Sequence, residues 1–188
     1  MTQDLVRRHY RELWGEPSRV AEHIFKGQAF EIWKWDAERT AEGVALYGTI
    51  GGSARPLPGS PSSHRFELFL GLRPPEDEVA MALAGAASLP FRTGKHLEPG
   101  HTVTFADMPL WPRTAMRTLL VRRPREPIVP TLLGPNGLHV EFWQVLPLYE
   151  TELEFHRRHG PDALLEQWDA VGVPFWDPYR GAATLPER

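Results

Sequence analysis

His139-Val140-Glu141-Phe142-Trp143-Gln144-Val145 is a run rich in β-branched and aromatic residues that reads as one strand, leading through Pro147 into two amphipathic helices. In the first helix the apolar positions are Leu148, Tyr149, Leu153 and Phe155; in the second they are Leu164, Leu165, Trp168 and Val171. This three-and-four spacing puts a wide apolar stripe on one face of each helix. Between them stand Gly160, suited to closing the first helix, and Pro161, suited to the first turn of the second. The rest of the chain is expected to be arranged around this stretch, and nothing in it looks like a reaction centre.

Upstream, the residues set the remaining elements. Leu5, Val6, His9, Tyr10, Leu13 and Trp14 are spaced as the face of a docked helix over residues 3–14, which Gly15 ends. A second short helix is expected after Pro17, with Val20, Ala21 and Ile24 inward, stopping at Gly27. Residues 29–35, 44–50 and 64–70 carry the aromatic, β-branched or alternating patterns of three strands, and 51–63 is a Gly/Pro-rich exposed loop and a candidate recognition loop. Residues 76–87 read as a helix whose acidic first turn, Glu76 to Glu78, meets unpaired amides rather than a metal. An irregular region from Leu89 to Gly100 follows. Short strands are then expected over 102–105 and 115–122, an extended piece over 128–133, and a turn at Pro135-Asn136-Gly137 before the 139–145 strand. The order predicts an α/β fold with an α+β tendency: one mixed-sheet domain over residues 1–188, with packed helices at both ends.

Composition narrows the function. A chain of 188 residues with 41% hydrophobic content can fill one core, and no internal repeat or long linker divides it. Residues 1–100 hold twelve Lys/Arg against thirteen Asp/Glu, and residues 101–188 nine against eleven, so no basic half offers a nucleic-acid footprint. Cysteine is absent, which excludes disulfides, a thiol nucleophile and thiolate metal ligands. With neither an apolar leader pattern nor an apolar run of membrane-spanning length, the expectation is a soluble cytoplasmic protein that does not engage membranes.

The chemistry-bearing residues give no local motif. His156 and His159 lie three apart on a helix, His96 and His101 flank a loop, and His9, His23, His64 and His139 are dispersed; no zinc signature such as H-E-x-x-H occurs. Neither G-x-S-x-G nor a phosphate-binding glycine loop is present, so no catalytic, cofactor or metal residue is assigned. Binding offers better leads. Trp33 and Trp35 share one strand face while Phe30 and Ile32 share the other, so the tryptophans are a contact surface if that face is open and core if both faces are covered. Arg55 in the 51–63 loop, Arg123 in the basic Arg122-to-Pro127 turn and Arg158 on a solvated helix face complete the candidate protein-binding residues. The aromatic C-terminal run Pro174-Phe175-Trp176-Asp177-Pro178-Tyr179-Arg180 is expected to dock on the domain.

Leu110-Trp111-Pro112, Thr118-Leu119-Leu120-Val121, and Pro147-Leu148-Tyr149 followed by Glu152-Leu153, Phe155, Gly160 and Leu164-Leu165 form an ordered set of motifs. With the 30–35 strand, Leu46-Tyr47-Gly48-Thr49-Ile50-Gly51 and Phe66-Glu67-Leu68-Phe69, this set resembles the Suppressor of Fused-like (SUFU domain) family, compact bacterial type, over roughly residues 25–170. The resemblance implies a non-enzymatic domain that binds another protein, with a cognate bacterial toxin as the partner if the chain is an immunity protein. It supplies no catalytic residues and no cofactor. Glu152 and Gly160 are implied to be structural, the first bonding buried backbone and the second capping a helix, and Trp111, Trp143 and Trp168 are expected core residues. The competing expectation is a hydrolase or a small-ligand or metal-binding protein using His96, His101, Asp107 and Glu141.

Overall fold

The computed structural model describes residues 2–186. In chain order it comprises α1 (Thr2–Trp14), β1 (Arg19–Phe25), β2 (Gln28–Trp35), β3 (Ala45–Ile50), β4 (His64–Leu72), α2 (Val79–Thr93), β5 (Thr102–Thr104), β6 (Thr118–Arg122), β7 (Leu132–Leu133), β8 (His139–Leu148), α3 (Glu150–His159) and α4 (Pro161–Val171). The strands form one sheet in the order β1-β2-β3-β4-β8-β6-β5, with β7 also paired to β8. Only β4 and β8 run parallel; every other pair is antiparallel. Strand β8, the stretch from which the sequence was read, lies between β4 on one side and β6 and β7 on the other.

Strand alternation sorts the side chains into layers. On one face Phe30, Ile32, Phe66, Leu68, Trp143 and Val145 pack under Val79, Leu83 and Ala87 of α2, with Trp111 in the same cluster. On the other, Trp33, Trp35, Leu46, Phe69 and Phe142 pack under Val6 and Tyr10 of α1. Further along, Leu120, Leu146 and Leu148 meet Leu153, Phe155, Leu164 and Trp168 of α3 and α4. The sheet thus carries helices on both faces and at both ends, a mixed α/β arrangement.

Several boundaries differ from expectation. The segment after Pro17 is strand β1, not a helix: it pairs with β2 through a two-residue turn in which Lys26 (φ 49°) and Gly27 (φ 77°) both adopt the left-handed conformation that suits a tight hairpin. Val20 and Ile24, expected inward, are 50% and 67% exposed. Helix α2 starts three residues later than expected and runs through Pro90, because a proline in the last turn forfeits only one hydrogen bond before the left-handed cap at Gly94. Leu148 and Tyr149 belong to the end of β8 and the N-cap of α3 rather than to the helix stripe, and Val171 is exposed. Gly160 (φ 87°) separates α3 from α4 as a cap, with its N–H donating to the His156 carbonyl at 2.8 Å.

Candidate functional site

Trp33 and Trp35, read as an interaction surface if open, are 3% and 0% exposed. Helix α1 covers them: Tyr10 and Trp14 pack at a tilt against Trp35 with ring centroids at 5.1 and 5.0 Å, and Arg11 lies 4.8 Å over Trp33. Each such burial stabilises the fold by roughly 1.5–3 kcal/mol, so α1 holds them as core and not as contacts. Their N–H groups stay inside too, Trp33 donating to Glu31 at 2.8 Å and Trp35 to the Gly15 carbonyl at 3.1 Å. Arg55, Arg123 and Arg158 are exposed, and each has a partner: Arg55 donates to Gln28 and lies 5.2 Å over Phe91, Arg123 grips Glu141, and Arg158 pairs with Glu154 at 3.6 Å.

Leu133, Val171 and Met108 are exposed singly elsewhere, whereas two exposed apolar residues share one strand further out. β1 ends the sheet, so its outer edge presents unpaired backbone groups, and Val20 and Ile24 project from it on the α1 side. On its other face Arg19, Ala21 and His23 line a cleft of about 630 Å³ closed by the start of α2 and by Tyr179, with Met81 45% and Tyr179 53% exposed at its wall. Asp77 organises this cleft: it accepts from Arg19 (2.6 Å), Tyr47 (2.9 Å) and Lys34 (3.0 Å). Burial works against its ionisation, yet the hydrogen bonds from Lys34, Tyr47 and Arg19 outweigh it and hold the carboxyl below the ordinary range. Burial, and Asp77 beside it, push the Tyr47 phenol well up. His23, whose Nε2 is buried without a partner, is held below its usual pKa by desolvation.

The 51–63 loop is not exposed throughout. Gly51, Gly52 and Ser53 are buried, as is Leu57, because Glu67 of β4 draws the start of the loop inward. This fully buried carboxylate accepts the N–H groups of Gly51 (2.9 Å), Gly52 (3.1 Å) and Ser53 (3.0 Å) and the hydroxyls of Ser53 and Thr49. A Cβ on Gly52 would fall 2.8 Å from the Phe66 carbonyl, so the close approach needs glycine. Desolvation pushes the Glu67 pKa up against the pull of its five donors.

Parallel pairing of β4 with β8 brings together residues that the sequence separates. His64 lies directly opposite His139, with ring centroids 5.3 Å apart, and Glu141, two residues on, shares their face. Ligand atoms of the three lie within 4.8 Å of one another. Burial opposes ionisation of Glu141, but the Trp143 N–H (2.6 Å) and the Arg123 guanidinium (2.7 Å) bring its pKa down. Desolvation lowers that of His64. The set His96, His101, Asp107 and Glu141 is divided instead: His96 and His101 both face Glu98, at 3.5 and 3.2 Å, Asp107 is exposed, and Glu141 belongs to the cluster with His64 and His139.

Glu152 and the C-terminal run form a further buried polar unit. Arg180 donates to both Glu152 oxygens (2.6 and 2.8 Å) and to the Pro147 carbonyl (2.9 Å), while the Tyr149 and Ala183 N–H groups complete the carboxylate. The guanidinium lies 4.7 Å over Trp168. The tail therefore docks, with Glu152 accepting from both Arg180 and the backbone of Tyr149 and Ala183. The partner arginine carried no signal in helical or strand periodicity, since it lies in an irregular tail.

Comparison with known proteins places this geometry. No curated protein matches the chain. The SUFU homolog of Neisseria gonorrhoeae FA 1090 has the same fold, with TM-score 0.72 and 19% identity over 98% of this chain and 97% of that one. The Sufu–Fu complex contains a chain similar at TM-score 0.67 and 16% identity, covering 96% of this chain and 91% of that one. Drosophila Suppressor of Fused is similar at TM-score 0.67 and 16% identity over 95% of this chain but 50% of its own. The profile described as Suppressor of fused protein (SUFU) matches residues 26–181, which takes in every strand from β2 to β8, the Glu67 nest and the Glu152–Arg180 pair. The chain belongs to the Suppressor of fused protein (SUFU) family.

Proposed function

We propose that this chain is a non-enzymatic, cytoplasmic, single-domain binding protein that takes a partner polypeptide along β1 and into the cleft between β1 and α2. The observation that carries the reading is the unpaired outer edge of β1, with Val20 and Ile24 exposed on one face and a cleft of about 630 Å³ on the other. An extended segment added to such an edge gains main-chain hydrogen bonds, and flanking apolar and charged positions select its side chains. Arg19, Lys34 and Arg113 oppose Glu76, Asp77 and Glu78 in the lining, which suits a polypeptide of mixed charge rather than a polyanion. A similar structure is that of a complex, Sufu with Fu, which supports partner binding as the use of this fold.

The partner we favour is a cognate bacterial toxin held in an inactive complex, as the resemblance to compact members of immunity type implies. Co-expression with a toxin-like protein encoded beside the gene tests this: survival of the host and a 1:1 complex on gel filtration are expected. A host killed equally with and without the chain would overturn the immunity role while leaving partner binding open to its own test. The hydrolase alternative is less supported, because His96, His101, Asp107 and Glu141 do not share one site.

A further inference from the structure

We propose that His64, His139 and Glu141 form a binding site for a divalent transition metal of the zinc type, at the sheet rim where β4 and β8 begin. Two imidazoles and one carboxylate are a borderline nitrogen/oxygen donor set, and three protein ligands with a fourth position left for water or a partner's side chain are a recurrent zinc arrangement. The placement comes from the backbone. In-register parallel pairing sets His64 beside His139, and the two-residue strand period sets Glu141 on the same face. Ligand atoms within 4.8 Å of one another need only small rotamer adjustments to converge on one ion.

The surroundings fit in two further ways. His9, His96 and His156 each engage a ring nitrogen with a backbone carbonyl, whereas His64 and His139 have no such bond among the described residues. The Trp143 N–H holds Glu141 at 2.6 Å, the kind of outer contact that orients a ligating carboxylate. Arg123 is the competitor. It grips Glu141 through Nε and Nη2, but its side chain is 64% exposed and can swing into solvent when a cation takes its place. His96 is turned away toward the Pro58 carbonyl (2.9 Å) and Glu98 (3.5 Å).

The test is calorimetric titration of the chelator-treated full chain with zinc chloride at neutral pH, with magnesium as a hard-cation control. One zinc site and no magnesium binding are expected. His64→Ala and His139→Ala should each weaken zinc by more than the roughly 10–100-fold that loss of an outer contact costs, and Trp143→Phe by about that amount. Arg123→Gln, at an exposed position, should tighten zinc binding by roughly two- to fivefold through removal of the competing cation, the range expected for an exposed ion pair. Should a histidine variant fail to fold, cobalt(II) added to the unaltered chain and to Arg123→Gln gives a second readout, the visible absorption of tetrahedral cobalt. Absence of zinc binding, unchanged affinity in the folded histidine variants, or affinity indifferent to Arg123→Gln would each overturn the site. Its failure would leave the β1 surface untouched, since the two use different residues.

Discussion

Glu67 shows how one buried side chain sets a loop. Five donors converge on a carboxylate with no exposed surface, so Glu67→Gln, nearly identical in shape, would aim an NH₂ group at N–H and hydroxyl donors. A buried donor left unsatisfied costs about 1–3 kcal/mol, and the substitution should destabilise by at least about 2 kcal/mol in urea unfolding; a loss under about 0.5 kcal/mol would contradict the nest. Gly51, Gly52 and Ser53 were visible in the sequence only as turn residues, because their bonding partner lies on another strand and periodicity says nothing about who accepts a hydrogen bond. The same limit hid His64 and His139. Each sits at a strand start, and only parallel pairing, a contact between distant segments, makes them neighbours. Trp168, by contrast, was readable as core from helical spacing alone and is 2% exposed.

At the scale of elements, two polar networks tie pieces together. Asp77 links β1, β2 and β3 to the start of α2 through Arg19, Lys34 and Tyr47. Its folded pKa lies below the ordinary 3.8, so its contribution is fully present above that value and is lost as pH falls through the lower, folded one. Asp77→Asn should cost about 1–2 kcal/mol at pH 7 and flatten the loss of stability below about pH 4; a thermal-melt series with the same slope in both proteins would contradict this. Arg180 does the equivalent for the tail, and Arg180→Ala leaves Glu152 buried without its cation, an expected loss of about 3–5 kcal/mol by urea titration. A loss below about 1 kcal/mol would show the tail to be independent of the core. The strands β2, β3, β4 and β8 and helices α1, α3 and α4 were all apparent from pattern. β1 was not, because Val20, Ala21 and Ile24 after a proline imitate a helix face, and an edge strand has no buried alternation to betray it. That misreading concealed the candidate surface, since two of the three apolar residues assigned inward, Val20 and Ile24, are the ones that point out.

Over the whole molecule, most aromatic and apolar side chains are sorted between the two sheet faces, so the remaining exposed apolar residues stand out. SUFU membership and the mixed sheet with helices at its ends were both within reach of the sequence, because ordered motifs and strand-helix patterning are local properties. The location of the proposed binding surface was not, because it depends on which strand ends the sheet. The measurement that tests partner binding most directly is quantitative affinity capture from native lysate, comparing the chain with its Val20→Lys/Ile24→Lys variant, two exposed changes that leave the core intact. One stoichiometric protein retained by the unaltered chain and lost at least about tenfold by the variant is the predicted result, equivalent to about 1.4 kcal/mol or more of binding energy. A partner retained equally by both, or no stoichiometric partner at all, would contradict it.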